Sequence, residues 1–448
     1  VIPATTPERS LPADTDGGTG RWGEAITGLV SYLRDTMGPP DADRLWPVSC
    51  VHGAPDPGIV QLGAAGVLGP LTRYVALTGD PRARETVAAA ARWLRLRSGP
   101  DVQRAPGLYF GSAGIAWALY EAGRLLDDDG LTRHALDLAA TLPTDPPTPD
   151  ITHGTAGIGF ALLHLGRRAG RPDLIDRAGA CADTLVATAP TGAARTGVPS
   201  SAAGDVANRR ATDDEDVLWG TPAAFDSRLA GGRFYGFAHG TAGIGAFLLA
   251  TGRPDAVHLA HRAARTLHAR AVTSGGLAQW GAGPGDPPTA PYWCHGASGI
   301  GTFLTRLHRA SGDGRSAELA VLAGNAVLAN SSRGVLGQCH GLAGNGEFLL
   351  DLAETTDRTV YRGLAARLAR VILASGARRG ESLVFPDEAG GVSATWADGA
   401  AGILSFLLRL RYGGPRPWTV EQAGSELHTP GSAPVAEAGA GLAAGKPG

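Results

Sequence analysis

The chain is poor in several residue types, and each scarcity removes a class of explanation. Of its 448 residues one is lysine, Lys446, and one is methionine, Met37. Arginine therefore carries nearly all the positive charge, and with 40 basic against 42 acidic side chains the formal charge is only -2. A surface so near neutrality argues against nucleic acid or an anionic membrane as the principal partner. Four cysteines in a chain of this length do not build a disulfide framework. They suit the reducing cytoplasm, the expected location, where clustered cysteine signals metal binding or catalysis. No apolar run approaches the roughly 18 residues that a bilayer crossing takes. The start, Val1-Ile2-Pro3-Ala4, has neither the basic nor the apolar region of a signal peptide. It also lacks an initiator methionine, which suggests a fragment or processed product of a longer polypeptide. No Lys-Ser or Lys-Thr follows a glycine cluster, so there is no phosphate-binding loop.

What the chain has is apolar residues (43%), glycine (66 residues) and a repeat. The phrase G-x-[AS]-G occurs seven times, beginning at Gly63, Gly111, Gly154, Gly240, Gly296, Gly341 and Gly399. Each copy opens an apolar run such as Ile115–Leu119, Ile158–Leu163 or Ile403–Leu408. An Arg- and Ala-rich amphipathic segment then follows, as at 82–97 or 259–271, with apolar residues at the helical spacing of three and four. Units of roughly 45 residues read as helix pairs, and one pair cannot bury its apolar face without neighbours. The expected fold is all-α: an α/α toroid of seven helix-pair repeats. Its inner helices are packed closely on backbone, and every G-x-[AS]-G turn sits at one end. An open solenoid has the same periodicity.

The interval from Gly154 to Gly240 is 86 residues, too long for one unit. Its Pro-, Gly- and Asp-rich part, 188–232, is expected to be an inserted loop or lid at the mouth. The remaining boundaries are a linker at 1–20, the toroid at 21–413 and a low-complexity, disordered tail at 414–448.

The residues just before the aligned glycines are Leu62, Phe110, His153, His239, His295, His340 and Asp398. One position earlier, Cys294 and Cys339 fall in the same register, 45 residues apart, which is one repeat. They are therefore expected to be neighbours at the ends of adjacent inner helices, where the helix dipole favours thiolate. Two thiolates and one neutral imidazole, His340 or His295, would bind a divalent cation with no charge left over. A Cys/Cys/His set with an open fourth position is the catalytic pattern for zinc, and soft sulfur favours zinc over magnesium or calcium. Cys50 and Cys181 are expected to be plain core residues. His153 and His295 are equally compatible with turn-capping.

With its seven-fold helix-pair repeat, Trp293-Cys294-His295-Gly296 and Cys339-His340-Gly341, the chain resembles the zinc-dependent lanthionine cyclases, over about residues 21–413. The resemblance implies Cys294, Cys339 and His340 as zinc ligands and His239 of Phe237-Ala238-His239-Gly240 as the acid/base histidine. It implies a functional role for Asp150 of Asp150-Ile151-Thr152-His153-Gly154. It also implies a dehydrated precursor peptide (leader plus core) as substrate, and lyase and kinase domains in the same polypeptide, as in the multidomain synthetases. The chain departs from the stand-alone members at two places: His295 stands where they have tyrosine, and Ala290 where they have arginine.

Three other functions fit parts of the pattern. A helical-repeat scaffold with a structural zinc would need a fourth protein ligand, with His295 the candidate. A glycosidase or terpene cyclase on the same ring would need paired carboxylates, yet the one dense acidic run, 213–216, lies off the register. Addition of a separate thiol such as glutathione to dehydro residues would use the same zinc chemistry.

Overall fold

Each inner helix is opened by glycine. In the computed structural model, which describes residues 17–49, 55–99, 102–190, 216–331 and 335–422, the helices that follow the seven motifs are α2 (Ala64–Thr78), α4 (Ser112–Leu126), α6 (Thr155–Ala169), α8 (Thr241–Thr251), α10 (Ala297–Ser311), α12 (Leu342–Thr356) and α14 (Ala400–Tyr412). Each begins at the first glycine of its motif, held in extended backbone as N-cap. The last glycine of each motif is required by close approach. A Cβ there would lie 1.9 Å from the Ile151 carbonyl oxygen at Gly157 and 1.9 Å from that of Trp293 at Gly299. Four of these helices end in a left-handed glycine, Gly79, Gly170, Gly252 or Gly312. After three of them a proline at the first turn, Pro81, Pro172 or Pro254, starts the next helix.

Those next helices form the outer layer: α3 (Pro81–Leu96), α5 (Asp129–Ala140), α7 (Pro172–Ala187), α9 (Pro254–Arg270), α11 (Gly314–Ala329) and α13 (Thr359–Ala374). Each packs on the inner helix before it. The inner helices pack in chain order and α14 returns to α2, so the ring closes into the expected toroid. The seventh outer helix is not where the repeat placed it. No helix follows α14 among the described residues; its outer partner is α1 (Gly17–Asp35), from the opposite end of the sequence. Two short antiparallel hairpins, β1 (Val272–Ser274) with β2 (Leu277–Gln279) and β3 (Ala377–Arg379) with β4 (Ser382–Val384), extend the ends of α9 and α13. They are additions to the all-α expectation, and their three-residue strands are too short to leave an alternating pattern.

Neighbouring inner helices interlock by one repeated device. Gly159, Gly245, Gly301 and Gly346 each receive the ring of a phenylalanine from the next inner helix, Phe247, Phe303, Phe348 and Phe406 respectively. All four rings are fully buried. Backbone contact of this kind accounts for the glycine content of the inner helices.

Residues 414–422, expected to begin the disordered tail, instead cross the ring at the C-terminal ends of the inner helices. Arg416 enters the centre and donates to Thr302 Oγ1 (2.8 Å) and Asp351 Oδ2 (3.2 Å). Glu421 pairs with Arg306 (2.9 Å), and Trp418 packs edge-on against Trp117. Asp351 also meets Arg306 (3.1 Å) and Arg409 (2.8 Å), so this end is a buried network of paired charges. Desolvation makes such a network costly to break once formed. The linker expected at 1–20 lies outside the described residues except for the start of α1, and the tail beyond 422 lies wholly outside them.

The glycine–phenylalanine device yields a direct test. In Gly245→Val the new Cβ would lie 2.7 Å from the Phe303 ring, so thermal unfolding should show a loss of about 1–3 kcal/mol. Adding Phe303→Leu should recover part of that loss.

Candidate metal and proton-transfer site

Two positions before each motif glycine stand Gln61, Tyr109, Thr152, Ala238, Cys294, Cys339 and Ala397. Their main chains form a closed circuit. The N–H of Gln61 donates to the Tyr109 carbonyl, Tyr109 to Thr152, Thr152 to Ala238, Ala238 to Cys294, Cys294 to Cys339, Cys339 to Ala397 and Ala397 back to Gln61, all at 3.0–3.3 Å. The circuit holds all seven turns at one end of the ring and makes each register position a neighbour of the same position in the next repeat.

Cys294 and Cys339 are consecutive members of that circuit, and with His340 their ligand atoms lie within 4.8 Å of one another. Both cysteines are buried. The Cys294 thiol hydrogen-bonds to Cys339. That bond, reinforced by His340, pulls Cys339 well below the usual thiol range and pushes Cys294 above it. His340 rises to about 9, chiefly through its hydrogen bond with Cys339. A cation bound there would displace the protons of these groups. His340 Nδ1 lies 3.1 Å from Glu388 Oε1. Two soft sulfurs and an imidazole nitrogen fit zinc. His295 does not join the cluster. Its ring is half-buried and falls to about 4, mainly through desolvation and then through repulsion from His239, so it is neutral at physiological pH.

Beyond His295 the ring of register positions carries a second group. His239 stacks 5.3 Å from His295, and His153 stacks 5.4 Å from His239. Asp150 and Thr152 form the hub beneath them. Asp150 Oδ2 lies 2.8 Å from His239 Nδ1 and 3.3 Å from His153 Nδ1. Thr152 Oγ1 lies 2.9 Å and 2.8 Å from the same two atoms, and donates to Asp150 Oδ2 at 3.1 Å. The backbone N–H of His153 donates to Asp150 Oδ1 at 2.7 Å. Burial opposes the charge on Asp150, but the bonds to His153 and His239 outweigh it and hold the carboxyl far below its ordinary range. An ionised Asp150 favours the Nδ1–H tautomer of both imidazoles, with Nε2 as the acceptor nitrogen of each.

All five expected site residues, Asp150, His239, Cys294, Cys339 and His340, lie at this end of the ring; His153 belongs to the second cluster, and His295 lies between the two. Sequence reasoning missed Thr152, although it occupies the same register as the cysteines. It also missed Glu388 and Phe225, which come from loops outside the repeat, and Phe234, whose carbonyl accepts from Thr241 N–H in the fourth turn. Phe225 touches His153 edge-on, and Phe234 covers His239 and His295. Cys181 is buried in α7 and its thiol is pushed up to about 12 by burial, as a core residue should be. Cys50 lies outside the described residues, as does the acidic run except Asp216, which pairs with Arg270.

Because the Asp150 carboxyl ionises more readily folded than unfolded, its stabilisation is complete above the ordinary carboxyl value near 4 and is lost as pH falls below it. Urea unfolding should show Asp150→Asn weaker than the parent by about 1.5–3 kcal/mol at pH 5. At pH 3 the gap should be narrower.

A family model described as lanthionine synthetase C-like protein matches residues 55–420. No curated protein sequence matches the chain significantly. Among solved structures, nisin cyclase aligns over 90% of this chain and 95% of its own, with a TM-score of 0.56 at 14% identity. Unsaturated glucuronyl hydrolase from Bacillus sp. GL1 aligns over 90% of this chain and 100% of its own, with a TM-score of 0.45 at 17% identity. The likeness to nisin cyclase is one of fold, the helical ring described above. The family match spans most of the chain and takes in both clusters. The chain belongs to the lanthionine synthetase C-like protein family, the lanthionine cyclases.

Proposed function

We propose that the chain catalyses zinc-dependent addition of a peptide cysteine thiol to dehydroalanine or dehydrobutyrine in the same precursor peptide, closing a (methyl)lanthionine thioether ring. The observation that carries this reading is the placement of a Cys/Cys/His cluster and a carboxylate-oriented histidine at the same end of one ring. Cys294, Cys339 and His340 would hold the zinc, which when bound favours the thiolate form of an incoming thiol. Since His295 is not in that cluster, an open fourth position is favoured over a closed structural site.

Asp150 fixes His239 with Nδ1 protonated, so its Nε2 accepts a proton from the substrate thiol or returns one to the α-carbon after the sulfur has added at the β-carbon. The half-buried His295 lies between the two clusters as a neutral spacer. For the lid expected at 188–232, the described residues 216–232 support a covering role. Val217, Leu218 and Trp219 anchor the segment in the core, and Phe225 leans on His153. Water exclusion there would strengthen the electrostatics of the site. The precursor peptide, and lyase and kinase domains that would dehydrate it, complete the proposal. Among the described residues no helix is long and apolar enough to cross a membrane.

Metal analysis beside an activity assay tests this. Purified chain should contain about one zinc, and Cys339→Ala should lose the metal and ring formation together. Full cyclisation by metal-free Cys339→Ala protein would refute the zinc mechanism. His239→Ala should keep its zinc and cyclise about 10²-fold or more slowly. Metal loss in that variant would instead make His239 a ligand.

A further inference from the structure

Addition of a thiol to a dehydro residue moves two protons: one leaves sulfur and one arrives at the α-carbon. A site that performs both steps at one pH is best served by one group that is neutral and another that is protonated. The Asp150–Thr152 hub is built for such a pair. Both imidazoles turn Nδ1 to the same carboxylate and the same hydroxyl, and no hydrogen bond to either Nε2 occurs among the described residues. One carboxylate balances one imidazolium. A second, in a near-parallel ring 5.4 Å away, would be an uncompensated like charge. Both side chains are partly open, at 17% and 13% exposure, so a bound peptide can reach them. A histidine that merely capped its turn would not need its ring nitrogen on the carboxylate already bonded to its own backbone N–H.

The order along the ring assigns the roles. His239 is the member nearer the cysteine cluster, through His295. His153 is one place further away, with its other face stacked on Phe110 at 4.5 Å. Resting on the cyclase reading above, we propose that His153 is a second catalytic residue, the proton donor to the α-carbon, while His239 receives the thiol proton. The thiol S–H proton passes to Nε2 of neutral His239. The sulfur pair forms the S–Cβ bond, and the Cα=Cβ pair moves into the adjacent carbonyl as an enolate. The enolate carbon then takes the Nε2 proton of protonated His153, forming Cα–H. His239 ends protonated and His153 neutral, and release of one proton to water with uptake of another restores the starting state. The titratable groups facing His153 are Asp150 and His239, with His295 next beyond; Phe110 and Phe225 bring no charge to it.

The test uses the zinc-loaded chain and a synthetic peptide with one dehydroalanine and one cysteine, run in D2O across pH. The parent should give a bell-shaped profile and a single α-deuterated epimer. His153→Gln should keep its zinc, its melting temperature and its KM. It should lose about 10² in kcat and one limb of the bell, and give both α-epimers as water replaces a fixed donor. Adding imidazole to His153→Gly should restore rate. Unchanged rate, profile and epimer in His153→Gln would overturn the proposal. So would a slowed, folded, zinc-loaded His153→Gly variant that does not respond to imidazole. Absence of any ring from the parent enzyme would count against the cyclase reading itself and take this one with it.

Discussion

The closed circuit of seven main-chain hydrogen bonds is the constraint on which the site depends. Side chains projecting from such a circuit have no independent freedom of position, because each turn is tied to the turns on either side. Cys294 and Cys339 meet because their main chains are bonded to each other, and Thr152 stands beside Ala238 for the same reason. Glycine makes the circuit possible. Any Cβ on the last glycine of a motif would drive into the carbonyl three residues before that motif begins, and the turn would have to open. The repeat is thus a device for placing functional groups on a rigid rim, with loops free to vary above it.

The two ends of the ring use charge in opposite ways. At the C-terminal ends of the inner helices, Asp351, Glu347, Arg306, Arg409 and Arg416 neutralise one another, and Arg409 is held more strongly protonated than usual by its carboxylates. Paired and buried, these groups lock the floor and the C-terminal segment in register. At the motif end the charges are left reactive. Cys339 is lowered beside a raised His340, and Asp150 serves two imidazoles with one carboxylate. Perturbed ionisation at both ends has the same cause, burial next to a partner. What differs is access: the His340 side chain is 40% exposed, whereas those of Arg409 and Asp351 are 1% and 3% exposed.

Much of this was legible from the pattern of residues, and the parts that were not share one property. The helix pairs, the common end for the seven turns and the adjacency of Cys294 and Cys339 all follow from register, which is linear information. The seventh outer helix, α1, escaped because its partner α14 lies at the other end of the chain, and no period relates the two. The role of residues 414–422 escaped because their composition is that of a linker. Arg416 and Trp418 become core residues only when the seven inner helices have already come together to receive them. Glu388 and Phe225 reach the site from loops, where position depends on the path of the chain and not on periodicity.

The amino-acid sequence by itself determined the all-α class, the number of repeats, the Cys/Cys/His cluster and the rim on which these groups stand. Local rules suffice for these: glycine where backbones touch, helical periodicity in between, soft ligands at one register. Tertiary structure alone decided that the ring closes and which helix completes its outer layer. It also left His295 outside the metal cluster and turned His153 and His239 to a single carboxylate. Those outcomes depend on angles accumulated over seven repeats and on contacts between residues as far apart as Asp150 and His239, which become neighbours only when the turns are bonded into a circle.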